Sequence, residues 1–327
     1  MDPTTDPIVE LLTSYRELNT SRIEELDEEP SPLEFMRYVA RNTPFVVRGG
    51  SAHEWQAAQR WDAAYLRAAM EGQTVNVAVT PHGNADAPTL EPGSGEVLFA
   101  KPHEEDQDFG EFLAYVRGQA LEGWGGEVRY AQTQNDNFRH EYQTLFGEVP
   151  RDIAFARIAL EKEPDAVNLW IGNARSVTAM HRDNYENIYV QIAGQKHFVL
   201  MPALCQPCIN EKELVPATYS RKDDQSLELR RDEPGTEDAG AEEVPFATWD
   251  PDKPDKNTTS YSHLAEPMRV TLNPGDMLYL PAMWYHKVSQ SCSEEGICVA
   301  ANYWYDMEFS GPLYSLCSFV RNLGNSR

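Results

Sequence analysis

Of the 327 residues, 41% are hydrophobic and 10% aromatic, apolar material enough for one large domain or two ordinary ones and too much for general disorder. The 28 Lys and Arg against 52 Asp and Glu give a formal charge of −24, which excludes an electrostatic grip on a nucleic-acid backbone and suits a Lys-rich or Arg-rich protein partner. Five cysteines form no disulfide framework, no apolar run reaches transmembrane length, and MDPTTDPIVELL lacks a signal peptide's basic flank, so a soluble intracellular protein is expected.

In chain order, SPLEFMRYVA (31–40) places Pro at a helix start with apolar residues at helical spacing. PFVVRGG (44–50) reads as a short strand closed by glycines, and a Trp-containing helical stretch follows. TVNVAVTP (74–81) alternates and is β-branched, a strand. Residues 110–121 fit a short amphipathic helix and EVRYAQTQ (127–134) another strand. The acidic runs at 24–29, 104–108 and 232–243 read as solvated loops. From about 165 short strands follow one another between turn signals: AVNLWIG, SVTAMHRD, NIYVQIAG, KHFVLMP, MRVTLNPGDMLYLP, WYHKVSQS and GICVAANYWYDM. NPGD (273–276) suits a tight hairpin. Cys205 and Cys208 (CQPC) fall in a Pro-flanked loop with no second pair at zinc spacing, so a structural role is expected. Residues 220–257 read as a charged surface excursion, and GPLYSLCSFVRNL as a final amphipathic helix.

These patterns predict a mainly β protein with α elements, built on a double-stranded β-helix (jelly-roll or cupin) core. The division expected is one composite domain. It comprises an α/β region at 1–150, a jelly roll at 151–310 with an acidic insertion at 220–257, and a helix at 311–327 that serves as a barrel cap or a homodimer contact.

Ferrous iron in oxygenases is commonly held by two histidines and one carboxylate on one face. His181 and Asp183 offer two such ligands at i and i+2, the spacing that shares one strand face. Alone the pair means little, because eight histidines and 52 acidic residues in 327 produce about one H-x-D or H-x-E by chance, and His103 with Glu105 is another. Context separates them: His103 lies in a charged stretch without strand signals, whereas His181 sits between SVTAM and NIYVQIAG. His286, in LYLPAMWYHKVSQS, opens a late strand that a jelly roll can set across the barrel from the early pair. A lone histidine beside Trp284 and Tyr285 is ordinarily core, as a lone Lys196 in AGQKHFVL ordinarily snorkels to the surface. Together they fit an oxygenase whose cosubstrate, 2-oxoglutarate, needs a cation for its distal carboxylate, with Asn187 and Thr178 as neutral hydrogen-bonding groups.

The run T-x-x-H-x-D-x-x-x-N-x(8)-K from Thr178 to Lys196, then LYLPAMWYHKV and NYWYDM, resembles the Jumonji C (JmjC) family of cupin-fold Fe(II)- and 2-oxoglutarate-dependent oxygenases. DAVNLWIG, PATY, NYWYDMEF and the N-terminal SPLEFMRYVARNTPFVVRG are similar to its lysyl hydroxylases, over nearly the whole chain apart from the 220–257 insertion. The resemblance implies Fe(II) on His181, Asp183 and His286 and the 2-oxoglutarate carboxylate on Lys196. It implies cosubstrate contacts from Thr178, Asn187, Tyr130 and Asn302, with O2 as the oxidant. It further implies C3 hydroxylation of a lysine in a GTP-binding protein of the developmentally regulated type, in the cytoplasm and also the nucleus. The alternatives are demethylation of methyl-lysine or methyl-arginine, a non-catalytic cupin binding module, and a peptidase, for which no H-E-x-x-H is present.

Overall fold

In the computed structural model, which describes residues 6–232 and 242–325, the chain opens with the helix Pro7–Leu18. Short strands β1 (Glu24–Leu26) and β2 (Phe45–Val47) flank the helix Pro32–Arg41. That helix starts as its sequence predicts: Ser31 and Glu34 cap each other reciprocally, and Pro32 occupies the first turn, where a backbone N–H would have no partner. β3 (Thr74–Thr80), β4 (Ala87–Leu90), β5 (Val97–Lys101), β6 (His103–Asp108), the helix Phe109–Leu121 and β7 (Val128–Tyr130) complete the N-terminal region.

The strands expected after 165 are β8 (Ala166–Gly172), β9 (Thr178–His181), β10 (Tyr185–Ala193) and β11 (Gln195–Met201). β12 (Glu211–Leu214), β13 (Pro216–Arg221), β14 (Leu227–Arg231) and β15 (Val244–Ala247) follow, then β16 (Met268–Leu272), β17 (Met277–Leu280), β18 (Tyr285–Ser291) and β19 (Cys298–Asp306). Two sheets make the barrel: β1-β2-β17-β10-β19-β8 and β16-β11-β18-β9. Period-two alternation divides each strand of the larger sheet between two environments. Trp170, Tyr189, Leu278 and Ala300 pack inward against Phe198, Leu200, Leu272 and Val288 of the smaller sheet. Leu169, Ile188, Tyr279 and Tyr303 point the other way, onto a second core with Phe35, Phe45 and Phe155 from the N-terminal region. The larger sheet is thus buried on both faces, which explains the near-continuous apolar run of β19.

Several expectations need correction. The NPGD turn forms, with Gly275 at φ +90° and Asp276 Oδ2 accepting from the Asn273 N–H at 2.7 Å, but it closes no hairpin. β16 pairs with β11 and β17 with β10 and β2, so the turn carries the chain from one sheet to the other. The acidic runs at 24–29 and 104–108 are not wholly loops. β1 and β6 are sheet-edge strands, where one side of a charged alternating sequence stays in water. His103 therefore lies on a strand. Of the run at 232–243, residues 233–241 lie outside those described. Cys205 and Cys208 are not in a loop either. They close a short 3-10 turn and enter the helix Gln206–Ile209, both buried, and the Cys208 thiol donates to the Tyr261 carbonyl at 3.2 Å. Among the described residues no helix is long and apolar enough to cross a membrane.

Residues 220–257 are no free excursion. β13 pairs with β5 and β14, and β15 pairs with β12. Arg221 clamps Glu105 (2.8 Å) and Glu127 (2.9 Å), while Lys287 on β18 holds Asp250 (2.7 Å) and Asp252 (2.8 Å). The segment is stitched to the N-terminal sheets on one side and to the barrel on the other.

Candidate active site

β9 and β18 lie side by side, antiparallel, with His181 directly opposite His286. The late histidine is therefore a register partner of His181 on the adjacent strand and does not face the early pair across the barrel. The two imidazole rings have centroids 4.0 Å apart. Asp183 is two residues past His181 as expected, but β9 ends at His181 and the carboxylate comes from the following turn. That turn is fixed where Asp183 O accepts from the Met283 N–H at 2.7 Å.

Each imidazole has one nitrogen committed. His181 Nδ1 lies 2.8 Å from the Ala179 carbonyl and His286 Nδ1 lies 3.0 Å from the Trp284 carbonyl. A carbonyl only accepts, so both Nδ1 atoms carry a proton, which leaves each Nε2 as the atom that can offer a lone pair to a metal. Those Nε2 atoms each stand 3.6 Å from Asp183 Oδ2, and the three donor atoms lie within 4.8 Å of one another. Burial, reinforced by the nearby His181, lowers the His286 pKa to about 4, so its imidazole is neutral, as a ligand must be. Two imidazole nitrogens oriented by backbone carbonyls with one carboxylate are a donor set that fits Fe(II) and leaves further positions open. Among the described residues this is the group of side chains arranged to hold a metal.

Behind the triad a narrow recess is lined by Tyr130, Thr178, Asn187, Lys196, Asn302 and Trp304. The register explains the convergence. Tyr189 faces Asn302, and Asn187 faces Trp304, across β10 and β19 on the inward face. On the smaller sheet, Leu200 is level with His286 and Lys196 is level with Gln290. Lys196 thus sits four residues deeper than the triad, roughly 13 Å along the strand at the usual rise per residue. It is buried, and the surface snorkel that a lone lysine ordinarily adopts does not occur. Its ammonium donates to the Tyr130 hydroxyl at 2.7 Å and stands 5.2 and 5.9 Å from the rings of Tyr130 and Tyr189. No carboxylate pairs with it among the described residues, and desolvation lowers its pKa to about 8. Trp304 adds a buried Nε1–H without an acceptor, while Asn302 Oδ1 is already taken by Trp170 Nε1 at 2.8 Å. An unpaired buried cation and an orphan donor in one recess fit a small dicarboxylate such as 2-oxoglutarate. Tyr130 reaches its place because β8 carries Gly172, where a Cβ would lie 2.6 Å from the tyrosine ring.

Toward solvent the triad opens into a cavity of about 650 Å³. His181 and Asp183 form its floor. Its walls include Asp86, Glu104 and Gln132 from the N-terminal region, Glu211, residues 244–247, and Tyr314 and Arg321 of the C-terminal helix Pro312–Asn325. Sequence reasoning missed Asp86, Gln132, Glu211 and Trp304. Only Trp304, within the NYWYDM run, carried any local signal.

A profile of the cupin-like domain matches residues 30–311. The chain is 36% identical to "Lysine-specific demethylase JMJ32" of Arabidopsis thaliana, over 97% of this chain and 91% of that protein. It is 37% identical to "Bifunctional peptidase and (3S)-lysyl hydroxylase JMJD7" of Homo sapiens, over 87% of this chain and 84% of that one. "JmjC domain-containing protein E" of Dictyostelium discoideum is 30% identical, over 90% and 86%.

Proposed function

The chain belongs to the cupin-like family of JmjC 2-oxoglutarate oxygenases, and we propose that it hydroxylates a lysine side chain, at C3, in a protein substrate. The observation that carries the reading is the unpaired, buried ammonium of Lys196 behind a triad of two oriented histidines and one carboxylate. A partner-binding module has no use for a desolvated cation at the bottom of its barrel, since an unpaired buried charge costs stability.

In this proposal His181, Asp183 and His286 hold Fe(II) and Lys196 pairs with the distal carboxylate of 2-oxoglutarate. Tyr130, Thr178, Asn187 and Asn302 hydrogen-bond the cosubstrate. The bound metal and cosubstrate supply the oxidising chemistry: decarboxylation of 2-oxoglutarate to succinate and CO2, coupled to transfer of one oxygen atom of O2 into a substrate C–H bond. The protein supplies orientation. The Ala179 and Trp284 carbonyls lock the imidazole tautomers. The aromatic walls of Trp170, Tyr189 and Phe198 keep water from the recess, which strengthens the Lys196 ion pair. The outer cavity of about 650 Å³ would receive the substrate's lysine side chain.

The name of the human relative supports hydroxylation and that of the plant relative supports demethylation as the second reading. The proposed substrate extends, on the family resemblance alone, to a GTP-binding protein of the developmentally regulated type, met in the cytoplasm or nucleus. Anaerobic titration of Fe(II) and 2-oxoglutarate is expected to give a visible charge-transfer band that His181→Ala abolishes. Aerobic incubation with lysine peptides, read by mass spectrometry, is expected to add one oxygen. Loss of a methylene from methylated peptides would replace this reading with demethylation, and no band at all would end the oxygenase assignment of these residues.

A further inference from the structure

We propose that Asp86 is the receptor for the substrate's ε-ammonium group and makes the cavity selective for an unmethylated lysine. The inference rests on the lysyl hydroxylase reading and names the residue that enforces it.

Asp86 is placed by a turn tied to the ligand strand. Gly83 N–H donates to Thr80 Oγ1 at 2.8 Å, and the Gly83 carbonyl accepts from the Val177 N–H, one residue before β9, also at 2.8 Å. The approach is so close that a Cβ on Gly83 would lie 1.9 Å from the Arg175 carbonyl oxygen. Three residues on, Asp86 takes φ +50°, which aspartate tolerates better than most side chains. Gln132, itself buried, donates through Nε2 to Asp86 Oδ2 at 3.1 Å, and Asp86 has no other hydrogen bond among the described residues. The half-buried carboxylate faces the cavity that holds His181 and Asp183.

The other charged groups around this cavity, Glu104 apart, are already paired or belong to the triad. Glu211 is taken by Arg321 at 2.5 Å, by the Tyr285 hydroxyl at 3.1 Å and by Arg182 at 4.0 Å. Arg321 also reaches Glu213 at 3.3 Å, and Lys101, whose field touches Asp86, is held by Asp232 at 2.8 Å. Asp183 belongs to the triad. Glu104 has no ion pair among the described residues, but it is exposed. Asp86 is therefore the sheltered carboxylate beside the triad with no cation partner among the described residues. Burial raises its pKa to about 6, the direction expected of a carboxylate whose counter-ion is still to arrive.

A primary ammonium brings three N–H donors to such a carboxylate, and a trimethylated one brings none. With the nitrogen pinned to this wall, the cavity offers a C–H bond of the aliphatic chain to the triad and not an N-methyl group.

The test uses peptides identical except for a central lysine, Nε-trimethyl-lysine or norleucine, mixed in equal amounts with immobilised protein, Fe(II) and 2-oxoglutarate without oxygen. Mass spectrometry of the bound fraction gives enrichment ratios that do not depend on how much protein is active. The wild type is expected to enrich lysine over both competitors on the order of tenfold or more, as a charged hydrogen bond implies. Asp86→Asn is expected to bring the ratios near one and Asp86→Glu to restore part of the preference. Admitting oxygen should reproduce the ratios in hydroxylated product. An Asp86→Asn protein that keeps the wild-type ratios overturns this assignment and leaves the lysyl hydroxylase reading standing. A wild type that shows no lysine preference, or that removes methyl groups from trimethyl-lysine, overturns both.

Discussion

Lys196 destabilises the barrel as long as no anion pairs with it. Its ordinary pKa of 10.5 falls to about 8 through burial, so the folded state binds its proton less tightly than the unfolded chain does. Below pH 8 both states are protonated and the penalty, about 3 kcal/mol, is fully present. Between pH 8 and 10.5 the unfolded chain holds more protons at this site, so the penalty fades as pH rises. Lys196→Met is therefore expected to raise the Tm of the cosubstrate-free protein at pH 7, with the two proteins converging toward pH 10.5. Adding 2-oxoglutarate with Fe(II) should stabilise the wild type and leave the variant unmoved. Thermal melts across pH, with and without cosubstrate, check all three statements. The same residue shows what the sequence could and could not say. Lysine is unusual inside an apolar strand, so Lys196 could be picked out by type and place. Asp86 could not, because an aspartate between Ala85 and Ala87 is ordinary turn composition. Its meaning comes from the Gly83 contact with residues 175 and 177, far along the chain.

Among the elements, the segment from β13 to β15 departs furthest from its sequence pattern. Charge and proline suggested a surface excursion between strands; ion pairs fasten it, because Arg221 and Arg231 meet acids brought from elsewhere in the chain, whereas Lys222 and Arg230 meet only Asp224 and Glu228 close by. Arg221 is the main fastening, with five hydrogen bonds to Glu105, Glu127 and the Gln225 carbonyl. Arg221→Ala should leave two carboxylates facing each other and cost about 2 kcal/mol, between the values for exposed and buried pairs. The Arg221 guanidinium also holds the Glu105 carboxyl below its usual value of 4.5. Its stabilisation is present above that value and lost as pH falls through the lower folded value. The gap in denaturation midpoint between wild type and variant is thus expected to be full at pH 7 and to close as pH falls below 4.5. A gap unchanged by acid would mean that the variant acts by another route. The NPGD turn teaches the same lesson: turn residues encode a reversal, while the sheet each flanking strand joins depends on which apolar face finds which partner.

At the scale of the molecule, a formal charge of −24 accompanies a cavity lined by Asp86 and Glu104, acids with no ion pair among the described residues. Such a field draws cationic segments from a distance set by the Debye length. Raising ionic strength from about 0.01 to about 1 M shortens that length from ~30 to ~3 Å. The expected result is a fall of at least tenfold in kcat/KM for a lysine-rich peptide, carried mainly by KM. The affinity for 2-oxoglutarate should change far less, because Lys196 is screened by the barrel and not by salt. Steady-state kinetics against sodium chloride separate the two effects, and a salt-insensitive KM would leave the overall charge a matter of solubility alone.

The adjacency of β9 and β18 has one more consequence. Because His181 and His286 are register partners in a single ladder, the chain between them need not be any particular length to keep the ligands together. Doubling such an intervening loop costs only about 0.6 kcal/mol in closure entropy. Residues 202–267 join β11 to β16 outside that ladder, so a change in the length of this connection alters the cavity wall and its ion pairs while His181 and His286 stay register partners.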